Sequence, residues 1–520
     1  MHKERQMAKT QNTNAKAAWD AERKPKVLHK KRPKGTKNYK SVALASRSDK
    51  ILLPFTIETT GKVCYNYPKS FELGRGTPQF CGVLLCKTWS CGQFWLCRGK
   101  KGRIVRMKKI VKCGGLFTGV DESVQKDMAV VIEEGKITAV LPAAQVDAAN
   151  AEVVDLSDKF VMPGLIDAHL HTNFSGQPSI LHALVDGNEG EFTITSIKNA
   201  QADLMAGFTS IRDEGAFGYT DVALRNAINK GLIAGPRMMV SGEAITGTGG
   251  HADSHMAPYV GGTNSLGRVI NSAAEARKAV RRNFKFGADQ IKIMATGGVM
   301  SFGDDPKCTE LTYEEMRAAI EIAESHGRIS SAHAHGSDGI KIAVKAGITS
   351  IEHGMLMDDE CVELMASHGT YLIPTIIAAK AIVDNGSKAG MPGWMVEKAE
   401  LVLSGHKENL RKCREAGVKV GFGTDAGTSF NFHGKQTVEF GLMVEFGFTP
   451  AQALLAATKT NATMMRWAEE VGTVEAGKYA DLVAFDESPL DNIDVMNEVS
   501  FVMKGGKVCK KDGAPCVTLQ

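Results

Sequence analysis

The chain of 520 residues is too long for one ordinary domain, and it has room for a large domain together with a smaller one. Its composition, with 43% hydrophobic and 23% charged residues, is typical of a folded protein in water. No run of 18 apolar residues predicts a transmembrane helix, and the polar N-terminus lacks the apolar core of a signal peptide. We therefore expect a cytoplasmic protein with no membrane partner.

Charge divides the chain into two regions. Residues 1–106 hold 24 Lys/Arg and 6 Asp/Glu, which leaves 39 basic and 52 acidic residues in 107–520. The net charge of +5 is thus the sum of a strongly basic leader and an acidic body. A net positive charge alone would hint at a nucleic-acid partner, and the acidic body removes that hint.

The leader, residues 1–106, has no helical or alternating periodicity sustained over a full element. Its segment "HKKRPKGTKNYK" is a charge run with two breakers, which is typical of disorder. We predict that the leader is disordered or not part of the natural protein, with Met107 as the natural start. A targeting peptide and a nucleic-acid-binding arm are the alternatives.

The body has strand-rich ends and a long alternating middle. Short strand patterns separated by Gly and Asp turns fill 107–162 and recur over 471–520, which predicts one small β-sandwich domain built from both ends, followed by a C-terminal tail. Residues 163–470 alternate eight strand-like segments with amphipathic stretches that end at Gly. Eight such units predict an α/β fold with a (β/α)₈ TIM barrel. A doubly wound open sheet is the alternative, but no GxGxxG follows a first strand.

Six polar residues stand where successive predicted strands end. His169 and His171 close the first strand as "DAHLH", and residues i and i+2 of a strand point to the same side. The others at equivalent places are Lys292, His333, His353 and Asp425. Barrels place their active sites at these strand ends, so together the six residues predict a metal site.

Lys292 lies inside the apolar segment "QIKIMA", where a buried ammonium is costly. One interpretation is a lysine that reaches out to the mouth of the barrel. The other is a lysine that has taken up CO₂, since the resulting carbamate is anionic and can bridge two metal ions.

The sequence resembles the amidohydrolase superfamily over nearly all of 107–520. "VMPGLIDAHLH" is similar to its first-strand signature, "GTDAG" to its eighth-strand aspartate, and "GTVEAGKYADLVAFDESPLDNI" to its return into the small β domain. "SGEAITGTGGHADSHM", "QIKIMATGGVMS" and "SAHAHG" resemble the branch of Xaa-Pro and other Xaa-amino-acid dipeptidases and ochratoxin-hydrolysing amidases, which is related to imidazolonepropionases.

The resemblance implies a centre of two divalent ions, for which zinc is the expected metal. It implies that His169 and His171 bind the more buried ion together with Asp425. His333 and His353 would bind the second ion, and carbamylated Lys292 would bridge the two. A hydroxide held between the ions would be the nucleophile, and Asp425 would take its proton and pass it to the leaving amine.

Two further histidines are implied to bind substrate. Positions matching His251, in "TGTGGHADSHM", and His335, two residues after His333, grip the carboxylate of the substrate's C-terminal residue in this branch. The residue at the His335 position is often Tyr in the dipeptidases, so histidine here agrees better with the amidases. The alternative for His251 is a loop residue without a role. The alternative for His335 is a residue that supports a metal ligand.

The predicted function is hydrolysis of an amide or peptide bond to a C-terminal free amino acid, by a dipeptidase or an N-acyl amino acid amidase that includes ochratoxin-type amides in its range. The partner is a small-molecule substrate with a free carboxylate, and a homo-oligomer is expected. The alternatives are a deaminase or cyclic-amide hydrolase of the same superfamily, which usually has one metal and no bridging lysine, and a non-enzymatic binder that uses residues 1–106.

Overall fold

The computed structural model describes residues 108–180, 187–253 and 266–519, and the backbone of two earlier strands, β1 (Phe55–Ile57) and β2 (Val63–Tyr65). β1 and β2 pair antiparallel within a compact unit, Met1–Gly82, and the rest of the chain forms a second unit, Val83–Gln520. The leader shows no sustained periodicity, so its sequence did not predict this strand pair. The prediction that residues 1–106 are disordered or foreign otherwise falls outside the described residues.

The second unit alternates strands and helices through its middle. Its strands are β3 (Lys108–Phe117), β4 (Val124–Glu133), β5 (Lys136–Pro142), β6 (Ala151–Pro163), β7 (Leu165–Leu170), β8 (Phe208–Asp213), β9 (Arg237–Val240), β10 (Ala244–Gly247), β11 (Gly267–Ile270), β12 (Ile291–Met294), β13 (Ser330–Gly336), β14 (Ser350–Leu356), β15 (Tyr371–Ile373), β16 (Leu482–Phe485), β17 (Phe501–Lys504), β18 (Lys507–Lys511) and β19 (Ala514–Pro515).

The α-helices lie mostly between the central strands. They are Glu189–Met205, Thr220–Asn229, Ala273–Phe286, Tyr313–Ser325, Ser337–Lys345, Asp359–His368, Ile376–Asn385, Gly393–Leu403, His406–Glu415, Val438–Glu445, Pro450–Leu455 and Asn461–Met464. In the parts of the chain that the structure describes, no helix is long and apolar enough to cross a membrane.

Local signals set the helix ends. Ser272 accepts a hydrogen bond from the Glu275 amide at the start of one helix, and Gly287 ends that helix with a φ of 104°, a conformation that glycine adopts without steric cost. The next helix begins with a capping box between Thr312 and Glu315. These helices coincide with two amphipathic stretches of the sequence.

Strands from both ends of the body share one sheet, in the order β19-β18-β17-β16-β6-β3-β4-β5. β16 pairs antiparallel with β6, so that Leu482 faces Pro163 although more than 300 residues separate them. One face of the sheet buries apolar side chains such as Val111, Val130 and Phe501. The shared sheet supports the prediction that both ends build one β domain, and a second layer that would make it a sandwich stays a prediction.

The middle of the chain forms two parallel sheets, β7-β8-β9 and β11-β10-β12-β13-β14-β15. The segment 420–426 makes parallel bridges to both, from Val420 to Leu372 in β15 and from Ala426 to Leu170 in β7. β9 pairs with β8 and β10 pairs with β12, and three residues separate β9 from β10. Parallel strands that alternate with helices confirm the predicted α/β class. The patterns missed β10 and β11, which are four-residue strands.

Candidate metal centre

The six predicted ligands line one cavity of about 1280 Å³. They come from β7 and the residue after it, β12, β13, β14, and the segment that bridges β15 to β7: His169, His171, Lys292, His333, His353 and Asp425. Because neighbouring parallel strands end at the same edge, side chains separated by more than 250 residues meet there.

Asp425 lies against both histidines of the first strand. Its Oδ1 atom is 3.5 Å from His169 Nε2 and 3.3 Å from His171 Nε2. The structure therefore brings together the three residues expected to hold the more buried ion.

His333 and His353 stand on neighbouring strands, with ring centroids 4.7 Å apart. His353 also lies 4.9 Å from the ring of His169, and donor atoms of His169, His353 and Asp425 all fall within 4.8 Å of one another. His353 thus joins the two expected groups of ligands.

Hydrogen bonds orient three of the imidazoles through Nδ1. His171 Nδ1 donates to the Gly215 carbonyl at 3.0 Å, His169 Nδ1 donates to Glu352 Oε2 at 2.7 Å, and His353 Nδ1 lies 2.6 Å from Thr375 Oγ1. Such a contact fixes the ring and leaves Nε2 for a metal ion, as is usual for metal-binding histidines.

The protonation states suit metal binding. Burial, together with neighbouring positive groups, holds the pKa values of His333 and His353 well below the usual range, so both rings are neutral and keep a free lone pair. Burial alone would raise the pKa of Asp425, but hydrogen bonds from His169 and His171 outweigh it and lower that pKa, so the carboxylate is ionised.

The backbone is strained at three residues of this centre. His353, Asp425 and Thr375 have φ values of 69°, 61° and 43°, in the left-handed region that non-glycine residues rarely adopt. Such conformations cost about 1–3 kcal/mol each and cluster at functional sites, because surrounding contacts must impose them.

Lys292 is 1% exposed and lies on β12, which is buried throughout. Its Nζ atom is 3.3 Å from Glu214 Oε2. The side chain lines the cavity at the strand ends, which both interpretations of Lys292 allow. The carbamate itself stays a prediction.

Residues 160–509 match the amidohydrolase family. This chain belongs to that family. Ochratoxinase from Aspergillus niger is 33% identical over 377 residues, which cover 68% of this chain and 76% of the relative. Imidazolonepropionase from a Geobacillus species is 26% identical over 428 residues, which cover 75% and 91%.

A crystal structure of a Xaa-Pro dipeptidase with methionine bound in its active site is 35% identical, with a TM-score of 0.73; the match covers 78% of this chain and 100% of that one. These findings confirm the resemblance, and they identify the protein as a hydrolase that acts on C–N bonds, of the amide or peptide hydrolase kind. Amidohydrolases generally use a metal centre, and His169, His353 and Asp425 form a group here that could hold a metal ion.

Both predicted substrate-binding histidines of this amidohydrolase line the same cavity. The His251 ring stacks on His333 with centroids 4.2 Å apart, and the His335 ring stacks on His353 at 5.1 Å. His335 Nδ1 is buried and has no hydrogen-bond partner among the described residues.

Sequence reasoning missed the residues that hold His251. His251 Nδ1 lies 2.7 Å from Ser301 Oγ, which donates to Asp304, and the Lys398 ammonium binds the other oxygen of Asp304. A side chain at Gly298 would place its Cβ 2.2 Å from the His251 ring, so glycine is required there. Gly298, Ser301 and Asp304 share one loop, but Lys398 lies on a helix 94 residues after Asp304, and no spacing in the sequence connects these residues with His251.

Arg212, Glu214 and Glu352 were also missed. All three are completely buried beneath the centre, and each stands beside a recognised motif, in "RDEG" and "IEHG". The signal that could have identified them is a charged residue within a strand that is predicted to be buried.

Proposed function

We propose that this amidohydrolase holds two divalent metal ions, with zinc expected, and cleaves an amide or peptide bond to a C-terminal free amino acid. The observation that carries the proposal is the meeting of six metal-competent side chains at one cavity with two more histidines beside them. We further propose that the two parallel sheets and the segment 420–426 close into one (β/α)₈ barrel, which the bridges of that segment to β15 and β7 support.

The residues present fit such a centre. His169, His171 and Asp425 would hold one ion, His333 and His353 the other, and Lys292, as a carbamate, would bridge them. Neutral imidazoles and an ionised carboxylate are the forms that bind zinc. When bound, two cations supply an acidified water and a polarised substrate carbonyl.

Asp425 would move the proton. Its carboxylate is ionised at working pH and is held by His169 and His171, so its position is defined. We assign it to accept the proton of the attacking water and to return it to the nitrogen of the leaving amine, which completes general base and general acid steps with one group.

His251 and His335 would bind the free carboxylate of the substrate. Both lie beside His333 and His353, so a carboxylate held there places the neighbouring amide close to the centre. A hydrogen bond from an imidazole to the ionised carboxylate of the substrate is charge-assisted.

The cavity walls favour bulky apolar groups. One wall carries the aromatic cluster of Phe174, Phe192 and Phe217, and another carries Met355 and Met391. A volume of about 1280 Å³ lies above the usual range of about 300–1,000 Å³ for small-molecule sites. This size supports N-acyl amino acids with large acyl groups, as well as dipeptides, as substrates.

The test is a hydrolysis panel on the metal-loaded protein, with dipeptides, N-acyl amino acids and cyclic amides, each acid matched with its C-terminal amide. We expect cleavage of the free acids and a kcat/KM at least roughly tenfold lower for the amides, because the charge-assisted contact is lost. Equal rates on acid and amide would reject carboxylate recognition. Turnover confined to cyclic amides would favour the alternative hydrolase.

A further inference from the structure

A single guanidinium lies behind the candidate metal centre and contacts the supports of two ligands. Arg212, on β8, is completely buried and is among the largest fully buried side chains of the described residues. Its NH2 nitrogen donates to both oxygens of Glu352 at 2.8 and 2.9 Å, and its Nε lies 2.8 Å from Glu214 Oε1. The planar guanidinium group can serve two carboxylates at once in this way.

Each carboxylate in turn contacts a predicted ligand. Glu352 accepts a hydrogen bond from His169 Nδ1 at 2.7 Å, and Glu214 lies 3.3 Å from Lys292 Nζ. Arg212 is therefore linked through Glu352 to His169, a proposed ligand of the first ion. It is linked through Glu214 to Lys292, the proposed bridging ligand.

The same carboxylates form a second group that could hold a metal ion. Donor atoms of His169, Glu214 and Glu352 all lie within 4.8 Å of one another, and all three residues are buried. His169 belongs both to this group and to the group with His353 and Asp425. Two possible metal positions thus share one imidazole.

Arg212 occupies the two carboxylates of the second group. A buried cation that is hydrogen-bonded to Glu352 and ion-paired with Glu214 repels a metal ion from that position, and its hydrogen bonds use Glu352 lone pairs that an ion would need. If Lys292 carries a carbamate, Arg212 is the one cation among the four side chains Arg212, Glu214, Lys292 and Glu352. Arg212 then matters more for the charge balance, because the carbamylated lysine no longer supplies a positive charge next to the Glu214 carboxylate.

We propose that Arg212 is a positioning residue that decides which of the two groups takes metal. Through Glu352, Arg212 orients the His169 ring toward Asp425. Arg212 also prevents a metal ion from binding between Glu214 and Glu352. This inference rests on the metal centre of the proposed function, and it adds a residue that selects between two positions.

The test compares Arg212→Met and Arg212→Lys with the matched control Arg237→Met. Met is similar in length but carries no charge, and Lys keeps the charge but cannot bridge two carboxylates with a planar fork. Arg237 lies on β9, the strand next to β8, and outside the cavity of the centre. It also pairs with a buried acid, Asp481, at 3.2 Å. Each variant is loaded with Zn²⁺ or Co²⁺.

Three quantities are measured: the metal content, the rate of metal loss to a chelator, and the visible spectrum of the Co²⁺ form. We expect Arg212→Met to lose metal about 10–100-fold faster than the wild type, the range found when partners of metal ligands are removed. Its Co²⁺ spectrum should change, because an ion bound by Glu214 and Glu352 has more oxygen ligands. Arg237→Met should match the wild type in all three.

A residue that only stabilises the fold would lower the unfolding temperature of the metal-free protein and leave the Co²⁺ spectrum and the metal release unchanged. That result for Arg212→Met would overturn the proposal. If Arg212→Met does not fold, Arg212→Lys decides, and wild-type release and spectrum in that variant would equally overturn it. Failure of the metal-loaded wild type to cleave amides would reject the proposed function but leave these metal measurements interpretable.

Discussion

His353 and Thr375 are joined by a contact of 2.6 Å between Nδ1 and Oγ1, and both have left-handed backbone conformations, with φ values of 69° and 43°. Thr375 follows β15 and His353 lies on β14, so the contact connects neighbouring strands at the edge where the centre forms. A β-branched residue with positive φ is strained, and it persists where neighbouring contacts impose it.

Thr375→Val should release the His353 ring, because valine keeps the shape but has no hydroxyl group. We expect metal affinity to fall by about 10–100-fold, as for other partners of metal-binding histidines. The measurement is competition for Zn²⁺ with a chromophoric chelator. Thr375→Ser is the control, since it keeps the hydroxyl, and equal affinity in the two variants would contradict the role of this contact.

Asp425→Asn should abolish most of the activity while the fold persists. The amide keeps the shape but cannot accept a proton, so we expect kcat to fall by at least roughly 10²-fold, the scale of general acid–base catalysis. The metal content is measured on the same samples, because Asp425 is also a proposed ligand. An unchanged kcat at full metal occupancy would refute the proton-transfer role.

Lys292 carbamylation predicts a dependence on CO₂. Protein prepared with ¹³C-bicarbonate and zinc should show a carbamate carbon signal that Lys292→Ala lacks. The variant should hold fewer than two ions per chain, and short carboxylic acids should restore part of its metal content, since they can take the place of the bridging oxygens. A wild-type protein that binds two ions and shows no carbamate signal would argue against the modification.

Acid should destabilise the protein through buried neutral histidines. His406 is completely buried, its Nε2 donates to the Pro374 carbonyl, and burial lowers its pKa to about 4. The unfolded chain therefore binds a proton that the folded chain refuses, so stability falls as the pH drops from about 6.5 toward 4 and is unaffected above that window.

At pH 4 the loss attributable to His406 is up to about 3 kcal/mol, at 1.36 kcal/mol for each pKa unit. His406→Gln can still donate to Pro374 but does not titrate, so its free energy of unfolding should vary less with pH. The measurement is denaturant unfolding of the metal-free protein from pH 4 to 8. Parallel curves for the variant and the wild type would show that His406 is not responsible.

The sequence alone sufficed to locate eight of the residues that line the cavity, six from their places in the predicted strands and two, His251 and His335, from the family resemblance. His169 and His171 share a face because strand side chains alternate, and the other ligands were recognisable because each is a polar residue in or at the end of a predicted strand. These are local patterns, and a parallel arrangement of strands brings their ends together without further information. The same patterns predicted the α/β class and the strands that both ends of the body contribute.

Only the tertiary structure revealed what holds those residues. Arg212 reaches Glu352 across 140 residues of chain and Thr375 meets His353 from the next strand, while Lys398 supports His251 from a helix about 150 residues away. Each of these contacts depends on where a side chain ends in space, which strand register and loop path decide. Hydrophobic periodicity records which face of an element is buried, but not which buried charge lies opposite another, and so the supports of the centre could be found only once the strands had been placed side by side.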